Sequence, residues 1–289
     1  MRESRRYLGL ELAGAKNQKT ALAVLEYYPK EQKTFLLDIF DRIVAAEEQS
    51  ADEALVELIQ DFRPATSSTA VVTRMGVNVP MELPPCIGCI RRSCPMPGHC
   101  SIHAVKWMRE FSRKNYRQLG RKSVREFTPY TQRPVELYIR DQVLAQLPPA
   151  NRFEIDEALG GNKAPLTARM MFLLRHLKSV DCHEVWPKLS VSLLALELGL
   201  SRRLVASYRN LEEGAHSREE ILEHLAHEYG VFIYERDIQK LAHSLPAFDA
   251  FICAFTILLM DEGRCAKMPA GFPHSAWVQF PQLTKTGKT

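Results

Sequence analysis

Residues 7–40 read YLGLELAGAKNQKTALAVLEYYPKEQKTFLLDIF. Tyr7 to Ala13 is a short apolar-rich run that ends at Gly14. Thr20 to Tyr28 and Thr34 to Phe40 are two more, parted by the breaker segment PKEQK. Three such runs with short connections predict an antiparallel meander. Downstream, Ser50 with Glu53 three places on makes a capping box. Leu55, Leu58, Ile59 and Phe62 then follow the i, i+3, i+4, i+7 rule, so 51–62 is an amphipathic helix closed by Pro64. Thr69 to Val79 (TAVVTRMGVNV) is a fourth, β-branched strand bounded by Pro80. A meander, a helix and a returning strand form the front half of a mixed α/β domain.

Beyond Pro80 the chain changes character. The segment 80–100, PMELPPCIGCIRRSCPMPGHC, holds five prolines and four cysteines and forms no regular element. A helix is expected from Ser101 to about Leu119, stopped by Gly120. The stretch 134–180 reads as mostly helical with a break at Gly160–Gly161. CHEVWP at 182–187 is a short strand cut off by Pro187, and 188–230 is again helical, with Ser217 and Glu220 as a second capping box. Pro246 stands near the start of a last long helix through Glu262, and AWVQF at 276–280 is a final strand. The expected organisation is one domain over 1–282. It carries a cysteine loop and basic helix at 84–126 and a helical insertion at 134–180, and 283–289 is a frayed tail.

Composition narrows the class. The chain of 289 residues is 46% hydrophobic and 25% charged, an ordinary globular balance that excludes a disordered or fibrous protein. Its longest apolar stretch, AFICAFTILLM at 250–260, falls short of the about 20 residues that span a bilayer, so a buried core helix is expected and no membrane partner. Glu11 interrupts the N-terminal apolar run, which leaves no signal-peptide core. Seven cysteines, an odd count with four clustered, do not suit a secreted disulfide framework. A soluble, reducing, cytoplasmic setting fits best. The formal charge of +4 says little, but residues 91–125 hold ten Lys and Arg against one acidic residue, Glu110.

Acidic residues fall where charge is expensive. Glu11 sits inside the first strand, Glu184 inside CHEVWP, and Asp249 opens the apolar helix. Buried carboxylates need a partner or a metal. Hard oxygen ligands hold Mg²⁺ or Mn²⁺, and two ions about 4 Å apart stabilise both the attacking water and the leaving oxygen of a phosphodiester. The bland account, local pairing with Arg or Lys, stands beside this one.

The set GLELAG (9–14), VNVPMELP (77–84), EVWP (184–187) and FDAFICAFTILL (248–259) resembles, in order, four motifs of a family of predicted ribonuclease H-like nucleases. The resemblance spans most of the chain. It implies an α/β fold in which an antiparallel three-strand meander continues into parallel strands as a mixed sheet flanked by helices. It also implies acidic positions at Glu11, Asn78, Glu184 and Asp249, with Mg²⁺ or Mn²⁺ as cofactor. Two positions depart from the pattern. Glu11 is one methylene longer than the family's Asp, which moves its oxygens about 1–1.5 Å, large against a catalytic tolerance of about 0.5 Å. Asn78 replaces an Asp and removes a full charge.

Cys86, Cys89, Cys94 and Cys100, spaced C-x2-C-x4-C-x5-C, suit a tetrahedral Zn²⁺ site; an iron–sulfur cluster is the alternative. Behind them Lys106, Arg109, Arg113 and Arg117 form a stripe along one helix, with Arg121 beyond and Trp107, Phe111 and Tyr116 interleaved. The stripe suits a grip for the phosphate backbone of RNA or DNA, with rings available to stack on unpaired bases, and the alternative is a solvated helix face with its aromatic residues in the core. The expected function is divalent-metal-dependent cleavage of phosphodiester bonds in RNA or DNA by this predicted nuclease. The alternative is a catalytically degenerate nucleic-acid-binding protein that keeps the cysteine-bound metal.

Overall fold

The computed structural model describes residues 4–14, 19–45, 48–62, 74–118, 127–211, 213–273 and 277–283, with the backbone alone at 116–118 and 150. The chain divides into two compact units. One comprises Met1–Val79, Phe172–Ala266 and Val278–Thr289; the other comprises Pro80–Met171 and Lys267–Trp277. The cysteine loop, the basic helix and most of the helical insertion thus fall in the second unit, with 267–277 added.

The first unit holds a seven-stranded mixed sheet. Strands β1 (Arg5–Glu11), β2 (Thr20–Tyr28) and β3 (Lys33–Ile43) form the expected antiparallel meander. Helix α1 (Ala51–Asp61) follows, and its capping box is present: the Glu53 N–H donates to Ser50 Oγ, and the Ser50 N–H donates to Glu53 Oε2. Strand β4 (Arg74–Val77) then returns parallel to β1, and β5 (Asp181–Val185) lies parallel to β4. The part of the expected fourth strand before Arg74 lies outside the described residues. Two short strands complete the sheet, β6 (Val231–Phe232) beside β3 and β7 (Val278–Gln279) beside β5, giving the order β6-β3-β2-β1-β4-β5-β7. Leu8, Leu10, Met75 and Val77 are buried, as are the ring of Tyr7 and the backbone at Gly9 between them. Burial on both faces explains the near-continuous apolar reading of these strands.

Besides α1, the helices of this unit among the described residues include α5 (Pro187–Glu197), α6 (Arg202–Ser207), α7 (Gly214–Tyr229), α8 (Glu235–His243) and α9 (Leu245–Asp261). Every residue of α9 from Ala247 to Leu259 is buried, as a helix apolar on all sides requires. It packs directly on β1 and β4, and the sequence reason is two glycines. Gly9 and Gly76 are register partners. A Cβ on Gly76 would stand 2.6 Å from the Cys253 carbonyl oxygen, and one on Gly9 would collide with the backbone of Ala250 and Ala254. Tyr7, Ala21, Ala23, Leu25 and Val185 join α9 in one core cluster, which marks this face of the sheet. No single helix among the described residues is long and apolar enough to cross a membrane.

One expected cap is corrected. Ser217 does not open a helix, because α7 begins at Gly214; Ser217 is buried three residues inside, with its Oγ 2.7 Å from Ser207 Oγ. The reason is Arg218, whose guanidinium donates to the carbonyls of Tyr208, Asn210 and Ala242 and passes where a Cβ on Gly214 would stand. Gly214 is therefore the residue that lets the helix start early.

In the second unit α2 (His103–Gln118) bears out the expected basic helix. The stretch from residue 134 is less helical than expected. It holds α3 (Pro134–Tyr138), one π-helical turn (Ile139–Val143), two 3₁₀ turns (Leu144–Gln146 and Pro149–Asn151) and, after an irregular run, the start of α4 (Lys163–Leu173). Pro148 and Pro149 remove backbone donors there, and Gly160–Gly161 adds a break. Arg133 and Glu136 form a buried ion pair at 2.9 Å that also caps α3, and the Ala158 N–H donates to the same carboxylate at 3.0 Å. A buried pair completed by backbone donors is a structural element.

Candidate functional site

Glu11 ends β1, and Asn78 follows β4. The Asn78 N–H donates to the Leu10 carbonyl at 3.0 Å, which extends the parallel ladder by one residue and sets the two side chains next to each other. Asn78 Nδ2 donates to Glu11 Oε2 at 2.6 Å. The opposite amide orientation would place an oxygen against a carboxylate, so the hydrogen bond fixes this one. Glu11 shares a register position with Ala21, a member of the α9 cluster, so its side chain lies on the α9 face.

Asp249 reaches the same side from the second turn of α9, where it is buried. Arg209, in the turn after α6, donates from Nη1 to Asp249 Oδ2 at 2.8 Å, and its guanidinium carbon stands 5.7 Å from the centroid of the Tyr208 ring. Burial works against the Arg209 cation, but Asp249 and then Tyr208 outweigh it, so its pKa is raised above the ordinary arginine value. The Tyr208 ring is buried against Phe248 at 5.6 Å. Burial pushes its phenol well above the usual range, and the charges of Asp249 and Glu11 push it the same way. Both carboxylates therefore lie within electrostatic reach of one phenol. Among the described residues Tyr208 Oη makes no well-formed hydrogen bond, although Arg209 is near enough to lower its pKa.

Glu184 does not join them on that face. It is the register partner of Val77, whereas Gly76 pairs with His183 under α9. Side chains alternate along a strand, so Glu184 points to the opposite side of the sheet, and its neighbour Val185 belongs to the α9 cluster. There it is buried and accepts a 2.8 Å hydrogen bond from Trp186 Nε1. His183, which the alternation does put under α9, pairs with Asp181 at 3.0 Å.

These residues do not fit a pair of hard cations. A divalent ion needs several convergent oxygens. Here Asn78 turns its N–H₂ toward Glu11, Asp249 faces an internal cation, and Glu184 is on the other side. Among the described residues no three His, Cys, Asp or Glu side chains stand at metal-holding geometry.

The cysteine loop of the second unit presents a different donor set. Cys86 is half-buried, Cys100 buried, and Cys89 and Cys94 exposed, all as free thiols. Burial first, then the neighbouring Cys100, Cys89 and Cys94, push the Cys86 thiol up, so the four sulfurs share one neighbourhood. Backbone bonds shape the loop: the Cys86 N–H donates to the Pro129 carbonyl at 3.0 Å, and the Cys89 N–H to that of Cys86 at 3.4 Å. Four soft sulfur donors with no carboxylate among them are the chemistry that Zn²⁺ or an iron–sulfur cluster takes. The other cysteines are packed residues. Burial pushes Cys182 and Cys265 up to about 12, and Cys253 is wholly enclosed in the core.

Helix α2 separates the basic residues into two roles. Arg109 does not face solvent as a grip. Its Nη1 donates to the carbonyls of Pro97 at 2.9 Å and Cys100 at 3.0 Å, which staples the cysteine loop to the helix. Lys106, Arg113 and Lys114 are exposed, and Lys106 lies 3.8 Å from Glu110. The side chain of Arg117, that of Tyr116 and all of Arg121 lie outside the described residues. Trp107 and Phe111 stack on each other at 4.5 Å, and Trp107 also meets Phe272 at 5.0 Å. Tyr138 and Trp277 complete the cluster, so these rings, half-buried at Trp107 and Phe111, pack within their own unit.

Arg209 carried no signal in the sequence: one arginine after a six-residue helix has neither period nor motif. Comparison with protein-family models, with curated proteins and with solved structures found no match to this chain.

Proposed function

We propose that this chain is a ribonuclease H-like protein that binds nucleic acid without cutting it, gripping the phosphate backbone through the cysteine loop and α2. The strand order β3-β2-β1-β4-β5, antiparallel through the meander and parallel beyond it, supports the fold reading together with the four ordered motifs. The observation that carries the loss of cleavage is the Arg209–Asp249 pair, because a guanidinium already meets the buried carboxylate that would have to ligate a metal. The Asn78 amide on Glu11 supports it independently.

Cys86, Cys89, Cys94 and Cys100 would hold the Zn²⁺, which would supply a cross-link within an otherwise irregular loop. Arg109 ties that loop to α2, and Lys106, Arg113 and Lys114 present charge to phosphates. Each phosphate neutralised releases condensed counterions, so affinity falls steeply with salt.

The test is a fluorescence-anisotropy titration of zinc-loaded protein against labelled single-stranded RNA, single-stranded DNA and duplex, from 50 to 200 mM salt, with Mg²⁺ and with EDTA. Salt-sensitive binding that is indifferent to Mg²⁺, with the strands intact on a denaturing gel, is the expected result. Mg²⁺-dependent cleavage that Asp249→Asn abolishes restores the nuclease reading, and absence of binding removes both. A broad visible absorbance band in anaerobically purified protein reassigns the metal to an iron–sulfur cluster.

A further inference from the structure

The cysteine loop exposes three large apolar side chains. Ile90 is 98% exposed, Met96 66% and Ile87 49%. Single exposed apolar residues are ordinary, but three within ten residues on one irregular loop are a concentration that a contact surface accounts for. Arg91 and Arg92, immediately after Ile90, are exposed as well. Arg91 Nη2 donates to Ser101 Oγ at 2.8 Å, which holds the arginine against the loop base. Within 91–118 the one carboxylate is Glu110, already beside Lys106.

We propose that the Ile87–Ile90–Met96 tip is a wedge that enters between adjacent bases of a nucleic acid while Arg91 and Arg92 meet the flanking phosphates. This rests on the nucleic-acid reading above and adds the mode of contact. Apolar side chains inserted at a base step unstack it, and adjacent cations track the backbone. Charge selects this occupant. Arginines beside an aliphatic loop complement a polyanion with apolar base faces, and the sequence holds no acidic residue from 83 to 109. The absence of aromatic rings on the described part of the tip predicts wedging and not ring-on-base stacking.

The probe is a single-stranded 12-mer carrying one 2-aminopurine, as DNA and as RNA, titrated with zinc-loaded full-length protein. The wedge predicts a rise in 2-aminopurine emission on binding, because unstacking relieves its quenching. Ile90→Ser is expected to weaken binding about tenfold, to abolish the rise at saturation, and to leave the salt slope unchanged. Arg113→Ala is expected to reduce the slope and keep the rise. Ile87→Ser is a second tip variant, and with Ile90→Ser so exposed, both are expected to melt with the parent. If the parent binds and the tip variants bind and fluoresce identically, the wedge is refuted while the binding function stands. A parent that binds no oligonucleotide refutes the function itself. Tip variants that lose self-association or sedimentation with anionic vesicles, but keep the oligonucleotide signal, also refute the wedge and give the tip to protein or lipid.

Discussion

Seating α9 on two glycines gives a prediction that tests the fold and the site together. In Gly76→Ala the new methyl carbon would stand 2.6 Å from the Cys253 carbonyl oxygen and 2.8 Å from Ile257 Cγ1. Ordinary contact begins near 3.4 Å, so α9 must withdraw by about 0.8 Å at that turn. The obstacle is helix backbone, which has no rotamer to change. Overpacking costs about 1–3 kcal/mol, and the upper end applies here. At about 2–4 °C per kcal/mol for a chain portion of this size, the melting temperature falls by roughly 6–12 °C. Gly9→Ala meets Ala250 and Ala254 more closely and is expected to cost more, to the point of losing folded protein at 37 °C. Gly88→Ala is the control, since nothing lies within 4 Å of its Cβ, and its effect should stay within about 0.5 kcal/mol. Differential scanning calorimetry on the three variants measures this. Because Asp249 precedes Ala250, the same withdrawal shifts the carboxylate against Arg209. A Gly9→Ala protein melting within 2 °C of the parent refutes the seating of α9 and, with it, the placement of Asp249.

Arg209→Ala leaves Asp249 without the cation at 2.8 Å and should cost about 3 kcal/mol in a urea titration, the low end for a broken buried pair because Arg209 reaches solvent. Arg209→Gln with Asp249→Asn should recover much of it, and an unchanged midpoint in the single variant refutes the pairing. Ser50→Ala removes the α1 cap and should cost about 1 kcal/mol. The Glu53 carboxyl is held below its ordinary 4.5 by the Ser50 hydroxyl, so its contribution is complete above that value and is lost as pH falls through the lower folded one. The parent-minus-variant difference should shrink below pH 4.5, and a constant difference is the contrary result. Cys86→Ser should lower the zinc content measured by mass spectrometry and open the loop to trypsin at Arg91 and Arg92. Loading should be weaker at pH 6 than at pH 8, because metal binding must displace the protons of the thiols, and equal zinc content at the two pH values is the contrary result.

The meander was legible because each of its strands is long enough to show its pattern, and Ser50 with Glu53 announced α1 by a local bond that no distant residue can override. Strand β6 and helix α8 went unread for the opposite reason: Val231 and Phe232 are two residues, below any period, and pair only because β3 lies alongside. Ser217 looked like a cap since its neighbours fit the pattern, but the decisive residue was Gly214, whose missing side chain makes room for Arg218. The spacing of Trp107 and Phe111 shows which helix face they share, whereas their contact with Phe272 depends on a segment far along the chain. The acidic positions were legible as costly charges. Their division between two sides of the sheet was set by the register of β5 on β4, which no single strand contains. Asn78 was flagged as a lost charge; that its amide turns to Glu11 follows from the backbone bond to Leu10.

The helix that covers the meander is made some two hundred residues after it. Arg5 and Tyr7 on the first strand both meet Asp261 at the end of α9, the former across 256 residues. During vectorial synthesis at about 5–20 residues per second, the meander emerges many seconds before its cover. Through that interval Tyr7, Ala23 and Leu25 have no helix over them, and the nascent chain presents a sticky sheet to the crowded space outside the ribosome. A product stopped before residue 245 lacks that cover and is expected to pellet more readily than the full chain in a centrifugation assay.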